Sequence, residues 1–264
     1  MESKRRLSTI CSASIAAMTL STPTFVYAEE SETPFGAAVL IIELTDNDIE
    51  LQVFADGFDY TRLKIFDPNE RKVFDGRARG RLKRQGGLSE VFFASEPSHY
   101  LVDEPDFDEP VEDFLKRWPE GVYEFEGTVP KGPDLEGEAT LSHVLPALPK
   151  IVSPVSAGEK PPVVDPDNLV IDWEPVTTRF TGRGPVEIFE YQVILDLVDP
   201  ERSTPWVDGG TRRALINLPP DVTELTVPAE FLEPGSYEFE ILAIEMSGNS
   251  TISVGEFVVE EEER

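Results

Sequence analysis

The 264-residue sequence holds one cysteine, Cys11, and it lies in the amino-terminal stretch that the chain is expected to lose. Without cysteine the remainder can have no disulfide framework, thiol nucleophile or thiolate metal site, so its core alone must hold it together. Histidine is nearly as scarce. His99 follows Glu96-Pro97-Ser98 in what reads as a loop, and His143 ends a strand; neither has a histidine partner at metal-ligand spacing, which argues against a zinc centre or a Ser-His-Asp triad. Glycine-rich phosphate loops, nucleophile elbows and dinucleotide fingerprints are missing too. No later stretch approaches the length of a membrane span, and no anchor motif follows Glu260 to Glu263. Positive charge is short: 23 Lys and Arg stand against 51 Asp and Glu, a net charge of -28 that repels nucleic acid and anionic lipid. A glycosidase-like carboxylate pair can be picked from so many acids at will, so the acids alone do not indicate hydrolysis.

What is present begins with an export signal. Lys4, Arg5 and Arg6 precede a moderately apolar run to about Leu20, and Val26-Tyr27-Ala28 stands before an acid pair, so residues 1–28 read as a signal peptide cleaved after Ala28. Cys11 does not read as a lipoprotein site, because Ile10 is not small and the cysteine comes before an apolar core has been built. Loss of Glu2, Lys4, Arg5 and Arg6 leaves 50 acids against 20 bases. The protein is expected to be exported, to the periplasm or outside the cell, with residues 29–34 disordered and 261–264 an acidic tail. The chain between them is long enough for two ordinary domains.

Short alternating apolar runs broken by Pro, Gly, Asn and Asp mark an all-β protein. Strands are expected over 37–45, 49–55, 61–66, 71–83, 88–94, 121–129 and 136–144. PVEDFLKRWPEG reads instead as a short helix, with Pro110 at its start, Glu112 and Asp113 in the first turn, Lys116 and Arg117 in the last, and Val111, Phe114, Leu115 and Trp118 on one apolar face. Trp118 is therefore expected in the core. Composition shifts to Pro, Ser, Ala and Gly over 145–162, which puts a boundary near Pro149, with Lys150 to Ser153 opening the second domain.

LVIDWEPV (169–176), VEIFEYQVILDL (186–197), TELTVPAEFLEPGSYEFEILAIEMSGNS (223–250) and ISVGEFVV (252–259) resemble a fibronectin type III domain over about residues 148–260. The family's second-strand Trp corresponds to Trp173, its third-strand Tyr to Tyr191, and its Leu-x-Pro-Gly element with the following Tyr to Leu232, Pro234, Gly235 and Tyr237. One residue separates Gly235 from Tyr237, where the family commonly has two. The resemblance implies a seven-stranded sandwich that scaffolds or binds and does not catalyse. Its integrin-binding tripeptide is absent, since Gly182-Arg183-Gly184-Pro185 lacks the Asp. In the residues themselves, Tyr237, Phe239, Ile241 and Ala243 alternate with Glu238, Glu240 and Leu242, so one strand face is apolar and the other mostly acidic. Residues 120–143 are similar only in general pattern to the closing hairpin of bacterial immunoglobulin-like sandwiches, which assigns no function. The expected fold is all-β: two tandem β-sandwich domains, 35–147 with one short helix and 148–260 fibronectin type III-like.

Against the overall acidity, DGRARGRLKRQGG (75–87) crowds bases together. Asp67-Pro68-Asn69-Glu70 has turn chemistry, so 61–66 and 71–83 should form a hairpin with Phe66 opposite Arg71, Leu63 opposite Phe74 and Arg62 opposite Asp75. Period two then turns Phe74, Ala78 and Leu82 inward and Arg77, Arg79, Arg81 and Lys83 outward. Four like charges on one face need counter-charge. Either the acidic segment 103–113 folds across them, or they are a site for an anionic partner, for example a polysaccharide bearing carboxylate or sulfate. No resident cofactor is expected. Calcium is the ion to consider, at Asp46, Asp48 and Glu50 or at Asp103, Asp106 and Asp108, but neither group matches the Asp-x-Asp-x-Asp-Gly loop, and both read as solvated acidic loops. The expected function is a non-enzymatic binding or structural module for a protein or polysaccharide partner. The alternatives are a carbohydrate-active enzyme with a catalytic first domain, or a ligand-free spacer.

Overall fold

Alternation with period two decides which side of each strand is buried. In the computed structural model, which describes residues 33–45, 48–97, 111–156, 158, 160–198 and 212–261, it does so over 62–66, 121–128 and 135–141, whereas 49–53, 191–195 and 239–245 are buried on both faces. The first half comprises β1 (Thr33–Pro34), β2 (Ala37–Leu44), β3 (Ile49–Tyr60), β4 (Arg62–Phe66), β5 (Lys72–Arg77), α1 (Gly80–Gln85), β6 (Leu88–Ser95), α2 (Val111–Arg117), β7 (Gly121–Thr128) and β8 (Leu135–Leu141). Leu40 and Ile42, Leu51 and Val53, Leu63 and Ile65, and Tyr123 and Phe125 point into one core. Phe114 is buried there from α2, with Val111, Leu115 and Trp118 packed alongside. The helix and the packing role of Trp118 thus stand as expected. Thr33 and Pro34, expected to be disordered, instead pair in parallel with Leu135 and Glu136.

The second half comprises β9 (Lys150–Ser153), β10 (Val170–Glu174), β11 (Ile188–Leu197), β12 (Arg213–Leu218), β13 (Glu224–Thr226), β14 (Gly235–Glu245) and β15 (Ser250–Val259). Trp173 lies edge-on to Tyr191, with ring centroids 5.4 Å apart, and the Tyr191 hydroxyl accepts the Val176 N–H at 2.8 Å. The short corner before β14 still closes: Tyr237 Oη accepts the Glu233 N–H at 2.8 Å and donates to the Glu233 carbonyl at 3.1 Å, while its ring stacks on Phe257. Tyr237→Phe should therefore cost about 1–2 kcal/mol in urea unfolding, because the Glu233 N–H loses its acceptor. No change would mean that water replaces the hydroxyl freely.

The strands form a five-stranded sheet, β1-β8-β7-β4-β5, a three-stranded sheet, β13-β10-β9, and a seven-stranded sheet, β12-β11-β14-β15-β2-β3-β6. The last of these belongs to both halves, so two sandwiches in tandem share one layer. The join is a short parallel pairing of β15 with β2, Ser250 opposite Glu43 and Thr251 opposite Leu44. Asn249, 1% exposed, ties it together. Its Oδ1 accepts the Ile42 N–H at 2.8 Å, and its Nδ2 donates to the carbonyls of Ser142 and Val144 at 2.8 and 3.0 Å. Thr251 adds a bond from its hydroxyl to the Ala147 carbonyl at 3.2 Å. Gly248, at φ +94°, shapes the preceding turn, where the Glu245 carboxylate accepts N–H groups from Ser247 and Asn249.

Two expectations need correction. The strand expected over 71–83 ends at Arg77. The hairpin register also differs by two residues, with Leu63 opposite Gly76 and Ile65 opposite Phe74. The turn is longer than its dipeptides suggest: Asp67 N–H bonds the Arg71 carbonyl, Asp67 Oδ1 accepts from Asn69 and Arg71 N–H, and Glu70 takes φ +62°. A shift of two leaves each residue on its expected face. In the second half, the outward face of β14 is not simply acidic and wet. Leu242 and Ile244 join Ile194 and Ile252 in an apolar cluster with Leu215 packed against it, and Glu240 is buried beside them.

Candidate anion-binding face

The basic residues leave the sheet together. Ala78 is buried, and its N–H bonds the Thr61 carbonyl at 2.9 Å, the last backbone bond on that side of the hairpin. Arg79 is extended, Gly80 turns at φ +55°, and α1 follows. Helix suits this sequence, because Arg, Leu, Lys and Gln are strong helix formers and a helix spreads like charges around its circumference. The helix stops at Gly86 and Gly87, with φ +135° and +113°; a Cβ on Gly87 would stand 2.4 Å from the Tyr60 carbonyl oxygen. Only glycine fits that approach.

Arg77 therefore sits at the end of β5, Arg79 caps α1, and Arg81, Lys83 and Arg84 lie on it, all exposed. They are not one strand face, and Leu82, expected inward, is 40% exposed. Asp75, the acid on the hairpin's strands, is already engaged. Asp75 accepts from Arg62 Nε and Nη2 at 2.8 and 2.6 Å and from Lys72 at 2.6 Å, with Arg77 at 3.8 Å. The hydrogen bond from Arg62, then that from Lys72, holds the Asp75 carboxyl well below the ordinary carboxylate range. Arg79, Arg81, Lys83 and Arg84 have no acid of the described residues within ion-pair distance. Of the acidic segment expected to cover them, 103–110 lies outside the described residues. Glu112 and Asp113 sit exposed on α2, where Asp113 pairs with Lys116 at 2.6 Å.

Phe58, which the periodicity did not single out, is 76% exposed at the end of β3. It lies in a bulge between Asp56 and Tyr60, next to Asp59 at φ +56°, whose Oδ1 is 3.4 Å from where a Cβ on Gly86 would stand. The loop carrying Phe58 thus adjoins the end of α1. Asp56-Gly57 is the sequence signal that could have disclosed the bulge. Chemically, the face offers guanidinium forks suited to carboxylate, sulfate or phosphate oxygens, with exposed apolar contacts nearby.

The other candidates fall elsewhere. His143 is built into the structure, its N–H bonded to Glu120 and its Nε2 2.6 Å from the Trp118 carbonyl; His99 lies outside the described residues. Asp46, Asp103, Asp106 and Asp108 also lie outside them. Asp48 Oδ1 accepts the Ile49 N–H, and the Glu50 carboxylate accepts from Gln52 at 2.6 Å. Among the described residues no group of three His, Cys, Asp or Glu is placed to hold a metal ion, and no helix is long and apolar enough to cross a membrane.

No protein-family profile and no curated protein matches the chain. Among solved structures it is similar to a tetra-tandem repeat from the extending region of a large adhesion protein, with 12% identity, a TM-score of 0.27, and coverage of 85% of this chain and 50% of that one. It is likewise similar to Tp47, the 47-kilodalton lipoprotein of Treponema pallidum, at 12% identity and a TM-score of 0.28, covering 89% of this chain and 53% of that one. For the insect immune protein hemolin the identity is 16%, the TM-score 0.23, and the coverage 90% and 49%. The chain spans about half the length of each of these, and likenesses at such scores carry no function across to it.

Proposed function

We propose that this is an exported, non-enzymatic binding module of two domains, about 35–147 and 148–260, whose first domain takes an acidic polysaccharide on the face formed by Arg77, Arg79, Arg81, Lys83 and Arg84. The second domain is assigned to the fibronectin type III class. Its strand order, the Trp173–Tyr191 contact and the Tyr237 corner support that assignment. The observation that carries the functional reading is that Arg79, Arg81, Lys83 and Arg84 are exposed with no described counter-charge in a chain of net charge -28, and that Arg77 beside them shares Asp75 with two other bases. The bases of the patch repel one another locally, and an anionic ligand relieves that repulsion. Attraction reaches roughly one Debye length, about 8 Å at physiological salt, so binding should weaken as salt rises. The reading assigns the protein no resident cofactor.

The test is Arg79→Glu with Arg81→Glu in the chain from residue 29 onward. Wild type should bind carboxylated or sulfated glycans on an array, and the double variant should bind about 100-fold more weakly, at roughly 1.4 kcal/mol per lost contact. Its melting temperature should be unchanged. A variant that melts well below wild type would instead mean that the chain's own acids occupy the face, and a wild type that retains no anionic glycan at low salt would sink the reading. The same melts at millimolar calcium should not shift.

A further inference from the structure

The join between the sandwiches carries carboxylates where a structural seam would be expected to carry apolar or neutral groups. Glu43 on β2 is only 9% exposed and stands beside the two-residue pairing with β15. It faces Glu50 across the β2–β3 ladder, accepts the Ser250 hydroxyl of β15 at 3.2 Å, and feels Glu240 of β14. Glu50 in turn accepts from Gln52 and feels Asp48, and beyond Glu240 stand Glu238, Asp196 and Arg213. Arg213 pairs with Asp196 at 3.3 Å, and no cation is among the groups acting on Glu43. Glu43 and Glu50 are both buried and stand directly opposite each other on one face of the β2–β3 ladder, so the pair avoids two opposed carboxylates only while one of them keeps a proton.

We propose that the Glu43–Glu50 pair is a proton-dependent latch that holds β15 of the second sandwich against β2 of the first, and that loss of its proton in mildly alkaline solution loosens the seam. Burial first, and Glu50 second, push the Glu43 carboxyl up to about 8. Burial and then Glu238 push Glu240 up to about 7. A carboxyl raised in the folded state stabilises that state most below its ordinary value of 4.5, and the benefit is lost progressively as pH rises to the folded value. Above about pH 8 Glu43 and Glu50 stand as two opposed, buried carboxylates beside the seam. Separation of β15 from β2 is the movement that returns Glu43 to water.

Calorimetry of the full chain tests this between pH 6 and 9.5, a range that spans the titration of both Glu43 and Glu240, so the Glu43 and Glu50 variants separate the pair's share. The wild-type melting temperature should fall by about 5–10 °C, or its single transition should split in two as the halves uncouple. Glu43→Gln keeps a neutral hydrogen-bonding group and should lose less than half as much over the same range. Glu50→Gln, which removes the opposing charge, should also flatten the profile and serves if the first variant does not fold. Parallel pH profiles for wild type and whichever variant folds would overturn the proposal, since a merely structural Glu43 would change stability equally at every pH.

Discussion

Asn249→Ala is expected to lower the unfolding free energy by about 3–5 kcal/mol. The side chain serves three backbone groups from two segments: the Ile42 N–H on β2 and the carbonyls of Ser142 and Val144 after β8. Alanine leaves the buried Ile42 N–H and the two half-buried carbonyls without the side chain that serves them, each at roughly 1–3 kcal/mol with the buried N–H at the upper end. Asn249→Asp sharpens the test. It keeps the acceptor for Ile42 but sets a carboxylate against two carbonyl oxygens, so it should be no better than alanine. Urea unfolding with fitted midpoint and slope reads both variants; a loss under about 1 kcal/mol would mean that Asn249 does not hold the seam.

Trp173→Ala should cost about 3–5 kcal/mol, the usual range for a buried tryptophan truncated to alanine. Trp173 fills the second core between β10 and the Tyr191 ring, and its neighbours are strand residues with little freedom to collapse into the space. The consequence reaches beyond that core. Because β15 is paired to β2, unfolding of the second sandwich removes the partner of Glu43 and Leu44 and the Asn249 bonds together. The first half should therefore melt earlier in Trp173→Ala than in wild type at pH 6, followed by hydrogen exchange of β2 amides. If β2 keeps wild-type protection while the second core unfolds, the two halves are independent. Trp173→Phe should recover much of the loss, since the aromatic contact with Tyr191 survives.

The elements legible in the sequence are those whose pattern is local. Leu40, Ile42 and Leu44 alternate on β2, Tyr237, Phe239, Ile241 and Ala243 on β14, and α2 carries its own charge pattern. The path of the basic segment was only half legible. Phe74, Gly76, Ala78, Gly80 and Leu82 keep period two straight through Gly80, where the backbone turns and the helix begins, so periodicity extends the strand too far. The helix-forming run from Arg81 to Gln85 and the Gly86-Gly87 stop were the opposing signals. Arg77, Arg79, Arg81 and Lys83 were identifiable as a basic cluster from charge alone, but that Arg81 and Lys83 ride on a helix was not. Phe58 went unnoticed because its exposure follows from a bulge, which interrupts the alternation that would have placed it.

By itself the sequence determined the all-β class, the two sets of core-facing residues, and the concentration of positive charge in one short segment of an acidic chain. These depend on side-chain alternation and composition over a few residues, which hydrophobic burial reads directly. The tertiary structure alone decided that one sheet runs through both sandwiches, that Asn249 closes the joint, and that Glu43 and Glu50 are buried opposite each other there, with the Ser250 hydroxyl bonded to Glu43. The reason is physical: Glu43 and Ser250 are 207 residues apart, and nothing in either strand's own pattern specifies which distant edge it will meet.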